Sequence, residues 1–519
     1  MANKLVRGSL IIFIGNIIFR IGGYLYRFLM ATLLGPVNNG ILGTTMSFQG
    51  IFQTLAAGGL PPAISKYIAE YNAVEDYNMA RQTIYTALKI MVFLGLSLGF
   101  LMIFVIAPFI AYNFMGKPEV MVPLQIIGLI TPFSVIMGAF RGAFQGVYKM
   151  EYIVYTRAIE QLSMILLATA FVLIGFSVVG ALWGTVIGYA LSALSCVVIF
   201  KLYMGKYIPQ PSDDFEFGFR DELKLGAMLV KFSIPVIITG IAEMLIFNIC
   251  TVIMGKFLTM GDIGFFTAAD PIARLPLMIS ISVATTILPA SSEAFKVKDI
   301  STLQKYVEEA YKISLLFVIP MCIGLALFAV PTLKLLYFKN PAYVAGASAM
   351  AVLAIGMTFY SIFAISTSIV QGIGNPRIPM YILIFGSLTA AGLCWVFVPY
   401  LGIVGGATAT TIACFCMMIP CMYFVFKLTK TKAPKASIAK IIAATMIMGA
   451  VGLVIPKTTI WLFPGIIICV IVYFFALILV RFFTKEDIES LRGYSERLGP
   501  LSKFANRALD FVEKLEFRS

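Results

Sequence analysis

The sequence predicts an all-α integral membrane protein with about fourteen transmembrane helices: two parallel six-helix repeats plus two extra C-terminal helices. Composition, an internal duplication and the sidedness of basic residues point to it. Of 519 residues, 60% are hydrophobic and 12% charged, with a mean hydropathy of +0.94. Soluble domains carry about 25% charged residues, so the solvent of this chain is the bilayer.

The duplication has an offset of about 225 residues. Leu33-Leu34-Gly35-Pro36-Val37-Asn38-Asn39-Gly40 meets Phe257-Leu258-Thr259-Met260-Gly261-Asp262-Ile263-Gly264 after the first apolar run of each copy. Leu60-Pro61 meets Leu288-Pro289, Gln145-Gly146 meets Gln371-Gly372, and Val178-Val179-Gly180-Ala181 meets Ile403-Val404-Gly405-Gly406. Each copy holds an even number of spans. The second therefore starts on the same side as the first, and the axis relating them runs along the membrane normal.

With the N-terminus in the cytoplasm, inward segments collect roughly 28 of the 39 Lys and Arg. The outward turns keep Lys117, Lys256, Lys334, Lys339 and Lys457. Both termini are thus expected to be cytoplasmic, in a multi-pass protein of the cell membrane. The formal charge of +14 is a property of the face toward an anionic leaflet, and no nucleic-acid partner is expected.

In order, apolar runs near the ~20 residues that cross a bilayer lie near 7–31, 42–63, 83–112, 120–146, 152–175 and 178–203 in the first copy. Those of the second lie near 226–255, 264–290, 307–331, 344–371, 376–399 and 402–428, and two further runs near 437–455 and 459–481. The first follows Lys4 and Arg7, lacks a small-residue cleavage site and reads as a retained span. Domain expectations are an N-terminal lobe 1–204, a cytoplasmic linker 205–225, a C-terminal lobe 226–428, two additional helices 429–481 and a cytoplasmic amphipathic tail 482–519. The tail opens on a capping-box pattern, Thr484-Lys485-Glu486-Asp487, and places Leu501, Phe504, Ala508, Val512 and Leu515 at helical spacing. Gly180, Gly184 and Gly188 form a row suited to close helix packing.

Histidine is absent, which excludes a His proton relay, a His metal site and every Ser/His or Cys/His hydrolase. The eight cysteines lie scattered among apolar residues without a CxxC pair. They are expected as small buried hydrophobes rather than disulfides or zinc ligands.

Function is sought among charges where lipid should be. Arg20 lies on the first span, Glu243 on the seventh, and Asp270 and Arg274 on the eighth; Arg27, Arg141 and Glu160 lie nearer span ends. A charge costs about 2.5 to 3.5 kcal/mol at a helix centre on insertion scales, so these residues are expected to face a shared wet interior. Arg20 and Arg27 are two turns apart on one side, with Gly22-Gly23 between them as a bend or close-packing point. Two guanidiniums and no carboxylate on one span suit an anion, because the planar fork holds phosphate oxygens bidentately. Arg20, Arg27, Arg274 and Arg141 are therefore the candidate substrate contacts. Rival roles are a structural pair with Glu243 or Asp270 for Arg20, snorkelling for Arg27 and Arg141, and an i, i+4 pair with Asp270 for Arg274. Glu243, Asp270 and Glu160 are candidates for ion coupling or charge pairing, Glu160 with Arg157 on its own helix. No cofactor is expected; the drive would be a coupling ion, proton or sodium, or the membrane potential. Pro235 and Gly240, and Pro271, Pro276 and Pro289, weaken the helices next to these charges.

Tyr24-Leu25-Tyr26-Arg27-Phe28 leading to Leu34-Gly35-Pro36 and Gly40, then Leu60-Pro61, resembles the polysaccharide-biosynthesis exporters of the multidrug, oligosaccharidyl-lipid and polysaccharide (MOP) superfamily. Ala269-Asp270 through Leu275-Pro276-Leu277 to Leu288-Pro289 is similar to the eighth span of its lipid II flippase branch. The fourteen-span count also matches the stage V sporulation protein B group. The resemblance covers residues 5 to 480. It implies a V-shaped pair of six-helix lobes and a flippase, not an enzyme, for a polyprenyl-linked, pyrophosphate-bearing saccharide, working by alternating access among membrane lipids, with a monomer expected. It also implies functional arginines on the first and eighth spans, here Arg20 or Arg27 and Arg274. In that branch an arginine directly follows the aspartate equivalent to Asp270, whereas here Pro271 does. The rivals are a cation-coupled multidrug exporter, a membrane glycosyltransferase, for which Asp213-Asp214-Phe215-Glu216 is the candidate metal motif, and a non-transport scaffold.

Overall fold

Hydrocarbon offers backbone amides no hydrogen bonds, so a chain this apolar must close its backbone within helices. The computed structural model describes residues 2–57, 59–209, 217–431 and 434–482, with side chains for residue 19 and from residue 21 onward. Among the described residues every regular element is a helix. The expected tail beyond residue 482, the acidic run Asp213-Asp214-Phe215-Glu216 and the Arg20 side chain lie outside the described residues.

Ten helical stretches among them are long and apolar enough to cross a membrane. Two, Met150–Lys206 and Arg377–Thr429, run 57 and 53 residues, about twice what a crossing needs, and each is interrupted near its middle. The interruptions are Gly175 (φ 108°) with Ser177 (φ 50°, ψ −138°), and Gly402 (φ 59°, ψ −137°). The first helix, Ala2–Ala57, is broken at Gly35 (φ 72°), next to Pro36, whose ring cannot continue the hydrogen-bond ladder. The eighth span is two helices, Met260–Ala273 and Leu277–Lys296. Counted this way, the described residues of this all-α integral membrane protein make fourteen crossings.

The duplication is visible in the backbone. Ser177 and Gly402 share one unusual conformation at the repeat offset. Asp76 and Asp299 each accept the amide three residues on, from Met79 and Thr302, both at 3.0 Å, and so cap the third and ninth spans. Hydrogen bonds from Thr302 and Ser301 hold the Asp299 carboxyl down at about 2. Arg81 donates to the Ile208 carbonyl at 2.8 Å and Gln304 to that of Lys430 at 2.9 Å. In each copy the third span thus ties down the chain leaving the sixth.

By contact the chain forms two compact units. The first is residues 1–271 with 339–346 and 383–410; the second is 272–338, 347–382 and the described residues from 411 on. This division does not follow the repeat, because the first unit takes three pieces of the second copy, 226–271, 339–346 and 383–410. In that unit the duplicated turn motifs touch each other. A Cβ on Gly40 would stand 1.8 Å from the Met260 carbonyl oxygen, and a Cβ on Gly264 1.8 Å from that of Pro36. Asn39 seals the crossing by donating to the Gly264 carbonyl at 3.1 Å and the Thr267 hydroxyl at 3.2 Å. Gly184 and Gly188 bring the sixth span against Ala168 and Met164 of the fifth, as the glycine row predicts. One cysteine expectation is corrected: Cys250 and Cys394 form a disulfide with Cα atoms 5.8 Å apart. They lie 144 residues apart, and no local spacing betrays such a pair.

The second unit centres on Tyr311, Ile369 and Val425. The two additional helices, Lys435–Val454 and Leu462–Leu479, pack on Ile300–Leu327 through Leu315, Ile441 and Leu477, and through Phe328, Met448 and Cys469. Tyr473 donates to the Leu316 carbonyl at 2.8 Å.

Gly40→Ala or Gly264→Ala should each cost about 1 to 3 kcal/mol, since backbone opposes the new methyl. Gly23→Ala, with nothing within 4 Å, is the control. Thermal unfolding in detergent should show lower midpoints for the first two and none for the third.

Candidate functional site

The first span reaches the site region as continuous helix to Gly35, so Gly22-Gly23 is not a bend. Gly22 is instead a close approach: a Cβ there would lie 2.5 Å from Cγ of Gln161 on the fifth span. Tyr26, one residue before Arg27, is buried and its hydroxyl meets that of Thr185 at 3.1 Å, while Arg27 itself is exposed.

Arg141 sits in a buried polar knot of the first unit. Its guanidinium donates to Glu160 Oε2 at 2.7 Å, Ser192 Oγ at 3.0 Å and Thr156 Oγ1 at 3.1 Å. Arg157, the expected partner of Glu160, lies over the Phe19 ring at 5.3 Å, and the Glu160 carboxylate reaches across to Arg141 on the fourth span. The reason is geometric, since Glu160, 6% exposed, lies on the buried face of its helix.

The acidic candidates separate. Glu243 is exposed on the seventh span, Phe219–Phe257, and Asp270 is 8% exposed near the end of Met260–Ala273. That helix ends at Ala273, one residue before Arg274. Arg274, Leu275 and Pro276 form the gap of the broken span. Leu277 N–H donates to the Arg274 carbonyl at 3.1 Å, a tight turn.

Sequence reasoning missed a clasp at the C-terminal ends of the first and seventh spans. Lys117 Nζ donates to the carbonyls of Gly255, at 2.8 Å, and Leu258, where the seventh span ends. A cation there also complements the helix dipole. Burial pushes the Lys117 ammonium below its usual range, while Glu119 and Asp262 pull it back up. At the matching place in the second copy, the Tyr343 hydroxyl donates to the Ala31 carbonyl at 2.7 Å and Asn340 to that of Thr32 at 3.0 Å, just before the Gly35 break. Aligning the turn after each third span would have exposed the correspondence.

Breaking the Arg141–Glu160 pair from one side should be worse than removing both partners. Glu160→Gln is expected to cost about 3 kcal/mol, whereas Arg141→Met with Glu160→Leu should recover most of it. Unfolding of the three proteins in detergent measures the coupling.

Comparison with known proteins fits this architecture. A family model described as polysaccharide biosynthesis protein matches residues 5–295, and the MatE model matches 235–396. An uncharacterized membrane protein of Methanocaldococcus jannaschii is 26% identical over 82% of this chain and 99% of its own length. Lipid II flippase MurJ of Bacillus subtilis is 23% identical over 74% of this chain and 76% of that protein. Stage V sporulation protein B of the same organism is 24% identical over 78% and 80%. In fold, a lipid II flippase MurJ structure in an inward closed conformation matches with a TM-score of 0.73 at 18% identity, over 89% of this chain and 97% of that one. An inward-facing MATE multidrug resistance transporter of the MOP superfamily gives 0.67 at 19% identity, over 80% and 96%. Matched by that family model over more than half its length, the chain belongs to the polysaccharide biosynthesis protein family.

Proposed function

We propose that the chain is a flippase that moves a polyprenyl-(pyro)phosphate-linked oligosaccharide from the cytoplasmic to the outer leaflet by alternating access. The observation that carries this reading is the placement of guanidiniums: Arg27 exposed on a membrane-spanning helix and Arg274 in the gap of a broken one. Broken helices in lipid are tolerated where they line a cavity or lie buried in protein, and arginine keeps its charge and its bidentate fork at any physiological pH. Arg20, Arg27 and Arg274 would hold the phosphates while the prenyl tail stays in lipid. Arg141, engaged by Glu160, serves in this scheme as a charge pair of the first bundle. The bodies that rock would be residues 1–204 and 226–428, joined by 205–225, with 429–481 accompanying the second and 482–519 on the cytoplasmic face. Both termini are cytoplasmic in this scheme, the working unit is a monomer, and no covalent bond is made or broken. The relation to MurJ and stage V sporulation protein B supports a lipid-linked cargo.

A second reading is a cation-coupled multidrug exporter, in keeping with the MatE match over 235–396. Glu243 and buried Asp270 fall in that stretch, and either could load a proton or sodium in exchange for cargo.

The test is leaflet exchange in liposomes holding the reconstituted chain and a fluorescent polyprenyl-pyrophosphate saccharide. The native protein should accelerate exchange, and Arg27→Ala, Arg274→Ala and Arg20→Ala should each lower the rate about tenfold or more, the worth of a charge-assisted hydrogen bond. No acceleration by the native chain would refute the flippase. Imposed sodium or proton gradients that change the native rate, but not that of Asp270→Asn, would support the coupled form.

A further inference from the structure

We propose that the cytoplasmic half of the eighth span is a saccharide-reading wall, distinct from the arginines and specific for a hydroxyl-rich, uncharged headgroup. The proposal rests on the flippase reading for the identity of the cargo.

The helix Leu277–Lys296 is polar on the wrong side for lipid. Its buried face is Leu277, Ser280, Ala284, Ile287, Ser291 and Ala294. The opposite, exposed face carries Ser282, Thr285, Thr286, Pro289, Glu293 and Lys296, within an arc of about 100° at 100° per residue. A lipid-facing span behaves otherwise: on the third span the exposed residues include Phe93 at 70%, Phe100 at 63% and Phe104 at 61%. Of the ten stretches able to cross a membrane, Leu277–Lys296 is the least apolar. A hydroxyl and charge row of this kind cannot be left against acyl chains, so the face meets water and whatever polar cargo the water holds.

Its chemistry narrows the occupant. Ser282 donates to the Met278 carbonyl at 2.8 Å, Thr285 to that of Ser282 at 2.8 Å and Thr286 to that of Val283 at 2.9 Å. With their protons turned back onto the helix, the hydroxyl oxygens present lone pairs outward as acceptors. Pro289 has no N–H, so the Thr285 carbonyl loses its helical donor and adds an acceptor one turn back. Glu293 and Lys296 cancel in charge. A row of neutral acceptors fits a partner with many O–H donors, which is a sugar, and does not fit phosphate, which needs donors. The row runs about 21 Å from Ser282 to Lys296. It begins just past the gap that holds Arg274 in the same compact unit, and in the proposed cargo the sugar is bonded directly to the phosphate. The acceptor face therefore continues the arginine end toward the cytoplasm.

The test uses the full chain and two probes: a polyprenyl-pyrophosphate disaccharide and the same lipid without sugar. Binding is measured in detergent and exchange in liposomes. The native protein should bind the saccharide lipid at least tenfold more tightly than the bare one. The combined variant S282A/T285V/T286V, whose hydroxyls serve no inter-helix contact, should lose that preference and keep its affinity for the bare lipid unchanged. Equal native affinity for the two lipids overturns the inference, as does a variant that keeps the preference or weakens both lipids alike. A native protein that prefers the saccharide lipid in detergent yet moves neither lipid would refute the flippase and leave the wall in place.

Discussion

The constraint on which the structure depends is that hydrocarbon supplies no partner for a backbone amide or carbonyl. Wherever a helix stops or loosens, some side chain must take over. Lys117 covers the last carbonyls of the seventh span, and Tyr343 and Asn340 cover Ala31 and Thr32 before the Gly35 break. Gln125 donates at 3.2 Å to the carbonyl of Ile103, inside the π-helical turn Met102–Ile106. Much of the scarce polar inventory of this chain thus completes the backbone and is unavailable for cargo.

Duplication eases that demand by solving each problem twice. The crossing of the repeated turns is reciprocal, Gly40 on Met260 and Gly264 on Pro36, so one pair of glycines serves both copies. Sequence drift then appears as changes of side chain at fixed geometry. Arg81 and Gln304 perform the same tie on the chain leaving a sixth span. Ser177 holds a backbone conformation that Gly402 adopts without a Cβ. A non-glycine residue there carries strain on the order of 1 to 3 kcal/mol, which the helix pair around it must offset.

Helix count, the repeat and most span limits were legible because apolar run length and turn residues report them directly. Gly35-Pro36, Gly402 and the gap before Leu277 are glycine or proline sites whose local meaning needs no tertiary knowledge. Partner choice was less legible. Glu160 has Arg157 one turn away in sequence, yet pairs with Arg141 on another helix, because helix rotation decides which face is buried. The Cys250–Cys394 bond and the Lys117 clasp join residues far apart in the chain, which periodicity along one helix cannot detect. The polar face of the eighth span was written plainly in Ser282, Thr285 and Thr286. It is hard to see in a hydropathy profile because hydroxyls lower hydropathy without interrupting a span.

The charges of the membrane region therefore fall into two kinds with different physics. Arg141 and Glu160 are a buried pair closed by Thr156 and Ser192. Such a pair gains little net stability over apolar residues, but it is costly to break from one side, which suits a fixed element of a bundle that must move as a body. Arg27 and Glu243 are exposed instead. Exposure within a span that lipid would otherwise surround makes sense only if water reaches them. A group in water can exchange its partners at small cost, whereas one locked in a dry ion pair cannot. Contacts that must form and break repeatedly need that freedom, whereas a fixed element of a bundle is served by the buried kind.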